Sequence, residues 1–219
     1  ADRLWNGAEG WFEEYHFLMR CEGTVGDLVT EIAHASLVQL DMDDDKASPI
    51  EIGQPFRTIR LDWGRDEQSG GKELKVWAGS MDIVRIARAM QGAMQDSRFH
   101  SPGLFDEGMI VFNPANPNKK VEPFYFDARR ASNAHSRDVG FSPNDLQMTT
   151  TAFPAVEFLC LVGLQRCLPV MVGRRIFEYC AWTQPIAPNI VSAAVTGPIA
   201  RKQGGCYRFE NWFRTGQRK

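Results

Sequence analysis

The sequence predicts an α+β protein in which a mainly antiparallel sheet packs against a few amphipathic helices. Two observations lead to this prediction. Short segments with period-two alternation recur along the chain, and between them lie three segments with apolar residues at helical spacing. The strand-then-helix order near the start is also the first half of a ferredoxin-like unit.

The composition limits both the class of protein and its partners. The chain has 219 residues, of which 43% are hydrophobic and 24% charged, and this is typical of a single globular domain spanning residues 1–219. The net charge of −2 means that contact with a nucleic acid must come from local basic patches. No apolar run reaches 18 residues, so we expect no membrane contact.

Local signals define the elements of the first half of the chain. Thr24 and Asp27 have the spacing of a helix-capping pair, and apolar residues follow them at helical spacing. Ala1–Trp11 is predicted to be the end of a helix followed by a loop. The elements predicted after it are a strand over Glu14–Cys21, a helix over Val25–Leu40, a hairpin over Pro49–Asp62, a strand over Leu74–Trp77 and a helix over Asp82–Met94.

The second half of the chain contains the most apolar helix of the sequence. Pro154 suits the first turn of a helix, and the apolar residues after it fall on every face. We therefore expect Val156–Leu164 to be almost wholly buried. The predicted elements are strands over Met109–Phe112, Phe124–Phe126, Arg174–Thr183 and Tyr207–Arg214, and helices over Pro154–Gln165 and Asn189–Thr196.

The five cysteines are predicted to be small, reduced core residues rather than metal ligands, because they include no CxxC pair. Reduced thiols are typical of a reducing compartment, so we expect a cytoplasmic protein. No metal site and no cofactor is predicted. The chain starts at Ala1 without a methionine, and we expect a short natural segment upstream of it. The cysteines are Cys21, Cys160, Cys167, Cys180 and Cys206.

The strongest functional signal lies in FYFDARRASNAHSRDVGFSP, from Phe124 to Pro143. An aromatic strand is predicted to lead there into a polar loop that carries Arg129, Arg130 and Arg137. Guanidinium groups, hydroxyls and backbone N–H groups on one loop suit phosphate oxygens. We predict that these arginines bind nucleic acid; an ordinary polar surface loop is the alternative.

The last predicted strand, YRFENWFR, gives a second candidate site. Alternation places Tyr207 and Phe209 on one face, which we expect to enter a core, and Arg208, Trp212 and Arg214 on the other. An indole between two guanidiniums is a surface that stacks bases and contacts phosphates. These three residues are therefore predicted to bind nucleic acid.

The sequence contains none of three common catalytic motifs, so it gives no support for an enzyme of those classes. The sequence has no G-x-x-x-x-G-K-[ST] phosphate loop, no H-E-x-x-H zinc pair and no G-x-S-x-G elbow. No catalytic residue is assigned unless the chain is a metal-independent endoribonuclease, in which His135 would be the general acid/base beside an arginine. Such an enzyme needs a second acid/base group, and no other histidine lies close by in the sequence.

Four runs of the sequence resemble the third Csb protein of type I-G (formerly I-U) CRISPR systems, and the resemblance covers most of the chain. The runs are DRLWNGAEGWF, KVWAGSMDIVRIARAM, FYFDARRASNAHSRDVGFSPNDLQMTTTAFPAVEFLCLVGLQR and YRFENWFRTGQRK. They are specific to the family and are not general catalytic motifs.

The resemblance implies a subunit of a guide-RNA surveillance (Cascade-type) complex that acts in antiviral defence beside other CRISPR effector subunits. It also implies a ferredoxin-like fold of the RRM-like or RAMP-like kind. Three functions stay open at this point. The chain contacts guide RNA or target DNA without catalysis, it processes CRISPR precursor RNA as an endoribonuclease, or it is a structural subunit that binds only protein partners.

Overall fold

The protein, described from a computed structural model, is α+β with small antiparallel sheets, as the sequence predicts. The structure describes residues 8–14, 16–40, 50–53, 57–63, 82–127, 151–199 and 205–210. The chain forms two compact units, the first of residues 1–2 and 23–165 and the second of residues 3–22 and 166–219. The single-domain prediction and the ferredoxin-like arrangement stay predictions. No helix in the described ranges is long and apolar enough to span a membrane.

The strands pair only antiparallel within the described residues, in the orders β1-β2, β3-β4-β5, β6-β7 and β10-β9-β8. The strands are β1 (Glu9–Glu13), β2 (His16–Arg20), β3 (Leu37–Gln39), β4 (Ile50–Ile52), β5 (Ile59–Leu61), β6 (Phe112–Asn113), β7 (Asn116–Lys120), β8 (Val170–Gly173), β9 (Ile176–Cys180) and β10 (Cys206–Glu210). The helices are α1 (Val25–His34), α2 (Ile83–Ala93), α3 (Pro154–Gly163) and α4 (Val191–Val195). The predicted strand Leu74–Trp77 lies outside the described residues.

Helix α1 begins at the predicted capping box. The Thr24 hydroxyl accepts the N–H of Asp27 at 3.1 Å, and the Asp27 carboxylate accepts the N–H of Thr24 at 2.9 Å. The hydrogen bonds from Thr24 hold the pKa of Asp27 below its ordinary value. The predicted end at Leu40 is wrong, since the helix stops at His34 and Leu37–Gln39 pairs with β4.

The end of α1 is fixed by a buried side chain of α2. Gln91 donates its amide N–H groups to the carbonyls of Ile32 at 2.9 Å and Ala35 at 2.7 Å. The carbonyl of Ile32 also accepts the backbone N–H of Ala35 at 3.1 Å, so the glutamine amide adds further donors where the helix ends. One glutamine thereby joins two helices of the first unit.

A second polar junction joins β5 to α3. The indole N–H of the buried Trp63 donates to the carbonyl of Leu161 at 2.9 Å. The amide oxygen of Gln165 accepts the backbone N–H of Asp62 at 3.1 Å and of Trp63 at 2.8 Å. These bonds link residues about a hundred positions apart in sequence and fix the end of the three-stranded sheet against the helix.

Helix α3 buries one side rather than all of its surface, which corrects the expectation for Val156–Leu164. Phe158 and Leu161 are fully buried, whereas Leu159 and Cys160 are half-buried. Cys160 keeps its thiol, as predicted. The uniformly apolar composition did not reveal which side packs, because apolar residues also occupy half-exposed positions.

Other predicted elements also differ from the structure. The strand predicted over Met109–Phe112 begins only at Phe112. Phe124–Phe126 is not a strand: Tyr125 has a φ of 69°, a left-handed conformation that a strand excludes. The loop predicted at the end of Ala1–Trp11 is wrong, because Glu9–Glu13 is strand β1 and pairs with β2. The helix end predicted before it falls in residues 1–7, outside the described residues. The turn between β1 and β2 includes Glu14 at a φ of 52°.

The second unit packs the β1-β2 hairpin on the segment that follows β9. Gly10 exchanges two backbone hydrogen bonds with Ile186, at 3.0 and 3.1 Å, and its carbonyl also accepts the indole N–H of Trp182 at 2.7 Å. The rings of Phe12, Phe17 and Trp182 meet edge to face, with centroids 5.2 to 6.2 Å apart. The side chain of Trp182 is therefore fixed at both its polar and its apolar parts.

A disulfide joins Cys180 of β9 to Cys206 of β10, so the prediction of five reduced cysteines is wrong for this pair. The two are direct cross-strand partners with Cα atoms 4.0 Å apart. The backbone bond from Ala181 N–H to the Gly205 carbonyl, at 2.9 Å, marks them as a non-hydrogen-bonded pair, where strands approach most closely. A pairing between strands 26 residues apart is not visible in local sequence. Loop closure of this length stabilises a fold by about 3–4 kcal/mol.

The burial pattern of α3 gives a direct stability test. Leu161→Ala should lower the free energy of unfolding by about 2–5 kcal/mol, since a fully buried side chain leaves a cavity. Leu159→Ala, on the half-buried side of the same helix, is the matched control and should cost clearly less. Urea unfolding monitored by circular dichroism measures both. Equal losses for the two variants would contradict the one-sided packing of α3.

Candidate nucleic-acid interface

Most of the residues predicted to bind nucleic acid lie outside the part of the chain that the structure describes. Arg129, Arg130, Arg137 and the candidate acid/base His135 all fall in residues 128–150, and Trp212 and Arg214 fall after residue 210. Arg208 lies in strand β10 and can be placed. The predicted convergence of the two clusters on one surface stays a prediction.

Strand β10 alternates as predicted, but its aromatic side is not in a core. Tyr207 and Phe209 are 51% and 41% exposed, so the expectation that this side is buried is wrong. The reason is the pairing with β9, where Glu178 and Cys180 are the buried residues. Their cross-strand partners are Arg208 and Cys206, which therefore lie on the buried side of the sheet. Tyr207 and Phe209 alternate with them and point to the other side.

Phe177, Tyr179, Tyr207 and Phe209 form a ladder on this outer side, which we call the aromatic surface. Phe177 stacks on Phe209 with ring centroids 5.6 Å apart and an interplanar angle of 18°. Tyr179 stacks on Tyr207 at 5.4 Å and 25°, and contacts Phe209 at 6.3 Å. Cross-strand stacking of this kind fixes the rings in place. The result is a continuous and partly exposed π surface.

Strand β8 extends the same side of the sheet. Met171 pairs with Phe177 in the strand register and is 66% exposed. The turn from β8 to β9 holds two arginines, of which Arg174 is exposed and Arg175 adopts a φ of 67°. The turn leads directly into β9, so both arginines lie next to one end of this strand in the chain. Cations beside stacked rings are the combination that single-stranded nucleic acids use.

Arg208 lies on the opposite side of β10 from the aromatic surface. Its Nε donates to Oε2 of Glu178 at 2.7 Å, and the two residues are cross-strand partners. The carboxylate of Glu178 is nearly buried, while the arginine side chain is 68% exposed. A buried carboxylate needs such a partner. Arg208 therefore has a structural role within the sheet, and its exposed end remains accessible to an anion.

Sequence reasoning missed half of the aromatic surface. It assigned no role to Arg174, Phe177 or Tyr179, although RRIFEYC places two aromatic residues two positions apart, as YRF does at Tyr207 and Phe209. Two such patterns on paired strands stack when their registers match. The repeated spacing of aromatic residues could have indicated this surface from the sequence. The strand register that places Phe177 opposite Phe209 and Tyr179 opposite Tyr207 is seen only in the structure.

The chain entering the arginine-rich stretch is fixed by a buried carboxylate. Glu157 of α3 is 1% exposed and accepts the backbone N–H groups of Phe126 at 3.4 Å and Asp127 at 3.2 Å. Burial raises the pKa of Glu157 above its ordinary value, and the backbone hydrogen bonds oppose that rise. Phe126 also stacks on the buried Phe124, with centroids 5.2 Å apart. The start of the predicted phosphate-binding stretch is thereby attached to the first turn of α3.

Comparisons with protein-family models, curated proteins and solved structures found no match to this chain. Function is therefore inferred from the aromatic surface, from its charged neighbours and from the sequence resemblance.

The raised pKa of Glu157 predicts a pH-dependent stability. The folded chain keeps this proton at pH values where the unfolded chain has lost it, so the contribution of Glu157 is fully present below the unfolded pKa. It is lost as pH rises through the folded pKa. The free energy of unfolding of the wild type relative to Glu157→Gln should therefore fall as pH rises through this window. Urea unfolding of both proteins across a pH series measures the difference, and a difference that grows with pH would contradict this assignment.

Proposed function

We propose that this chain is a non-catalytic subunit of a CRISPR type I guide-RNA surveillance (Cascade-type) complex and contacts guide RNA or target DNA in antiviral defence. The observation that carries the proposal is the exposed aromatic surface of β9 and β10. The sequence resemblance supplies the biological setting, with other effector subunits as partners. The cytoplasm is proposed as the location because Cys21, Cys160 and Cys167 keep reduced thiols.

The aromatic surface has the physical properties that unpaired bases need. Rings that are already stacked and ordered lose little conformational freedom when a base stacks on them. Every base has a π face, so such a surface tolerates different sequences, and base–aromatic stacking contributes about 1–3 kcal/mol per base. A duplex buries its bases in its own stack, so the surface favours a single strand.

Electrostatics supports local rather than global attraction to a polyanion. The net charge of −2 gives no long-range steering toward nucleic acid. Contact with phosphates then depends on guanidinium groups near the stacked rings. Arg174, in the turn before β9, is the described candidate, and Arg208 offers its exposed end from the other side of β10. Arg129, Arg130 and Arg137 are proposed to add contacts from their own loop.

The aromatic surface predicts the effect of single ring deletions on binding. Tyr207→Ala and Phe209→Ala should each weaken binding of a single-stranded RNA or DNA by about 1–3 kcal/mol, roughly 5- to 150-fold, because a stacking platform is lost. Phe105→Ala is the matched control, since Phe105 is an exposed phenylalanine of the first unit. Fluorescence anisotropy with a labelled oligonucleotide, single-stranded and annealed, measures affinity.

Two outcomes of that titration would oppose the proposal. Equal losses for Phe105→Ala and Tyr207→Ala would mean that the aromatic surface has no particular role. Absence of binding by the wild type would favour a subunit that binds only protein partners.

If Arg129 and Arg130 contact phosphates, they should affect the salt dependence of binding as well as its strength. Replacing Arg129 and Arg130 together with Ala should weaken binding and reduce the slope of log affinity against log salt by roughly one contact for each arginine. His135→Ala should leave binding intact. In a cleavage assay with CRISPR precursor RNA and no added metal, cleavage by the wild type that is lost in His135→Ala would instead support the endoribonuclease alternative. An unchanged salt slope in the double variant would remove these arginines from the interface.

A further inference from the structure

Three potential metal ligands lie together on the inner side of the β9-β10 pair. They are the sulfur atoms of Cys180 and Cys206 and a carboxylate oxygen of Glu178, and all three atoms lie within 4.8 Å of one another. Glu178 and Cys180 are two positions apart on one strand, so they share a side of the sheet, and Cys206 faces Cys180 across the strands. Among the described residues this is the only group of at least three such ligands.

We propose that Cys180, Cys206 and Glu178 form a Zn²⁺ site when the disulfide between the two cysteines is reduced. Zinc takes thiolate sulfur at about 2.3 Å and carboxylate oxygen at about 2.0–2.2 Å, so tetrahedral ligand atoms lie roughly 3.4–3.8 Å apart. Opening the disulfide lets the two sulfur atoms separate to that distance while the strands stay paired. Two thiolates, one carboxylate and one water complete four positions.

Replacing the disulfide by a metal site requires a reductant, and an external dithiol supplies the electrons. The reductant gives two electrons and two protons to the sulfur–sulfur bond, is itself oxidised to a disulfide, and leaves Cys180 and Cys206 as thiols. Binding of Zn²⁺ then releases those two protons to solvent, because only thiolates ligate the metal. In a reducing compartment the same pair of strands would thus be cross-linked by a metal instead of by a covalent bond.

The neighbour of the carboxylate is suited to support a metal ligand. Arg208 donates its Nε to Oε2 of Glu178 at 2.7 Å, which fixes the orientation of the carboxylate. Ligand carboxylates in metal sites are commonly held by such a second hydrogen bond. Cys180 and Glu178 are also buried, so two of the three ligands sit where water competes weakly for the ion. The arginine carries a positive charge that offsets one of the three negative ligands.

The experiment uses the full chain with Co²⁺ as a spectroscopic probe. The protein is reduced under anaerobic conditions with a phosphine in place of the dithiol, because a dithiol would itself bind Co²⁺; the phosphine and one water give the two thiols and a phosphine oxide. The reduced protein is titrated with Co²⁺, and Zn²⁺ is then added in competition. We expect one equivalent of Co²⁺ to give a thiolate-to-cobalt charge-transfer band, and Zn²⁺ to remove it. Cys206→Ser should abolish the band, and Arg208→Ala should weaken affinity by about 10- to 100-fold.

The controls separate this site from the other thiols and from a folding defect. A triple variant with Cys21, Cys160 and Cys167 changed to Ser should keep the band. The oxidised wild type has the fold but no thiolate at this position, and it should not give the band. The proposal is overturned if the reduced wild type gives no band, or if Cys206→Ser gives the same band as the wild type. Since no nucleic acid is present in the titration, its result is independent of the proposed function.

Discussion

The alternation of buried and exposed side chains along strand β9 is the constraint on which the β8-β9-β10 sheet depends. Alternate residues of a strand point in opposite directions, so burying Glu178 and Cys180 forces Phe177 and Tyr179 outward. Strand β10 follows the same constraint through its register, since its own aromatic residues pair with those of β9. The rings are therefore exposed because the other side of the two strands holds the ion pair between Glu178 and Arg208 and the disulfide between Cys180 and Cys206.

This arrangement also explains why an exposed aromatic ladder is tolerated. Large exposed apolar patches are a liability in solution, and stacking between paired rings covers part of each face. The two stacked pairs leave ring faces and edges partly accessible while restricting the rotation of each ring. A surface of this kind is ordered before any ligand arrives, which lowers the entropic cost of binding.

Local chemistry decided which parts of the structure could be predicted from the sequence. The capping pair Thr24 and Asp27, the helix predicted over Asp82–Met94 and the α+β class depend on signals within a few residues. All three are confirmed, the helix as Ile83–Ala93. Pairing across long separations was not accessible. The disulfide, the outward side of β10 and strand β8, which was not predicted, all depend on which distant segments pair, and local sequence signals do not reveal that. Of the candidate site, Arg208 alone could be placed, and its partner Glu178 was not foreseen.

The bond between Cys180 and Cys206 closes the chain segment between them into a covalent ring, and helix α4 is part of that ring. A single cut by a protease anywhere within the ring therefore produces two pieces that cannot separate. The nicked chain travels as one species in a denaturing gel and divides only when a reductant is added. An intact backbone and the attachment of β10 are thus independent properties in this protein, because the disulfide keeps β10 tethered even when the backbone leading to it has been broken.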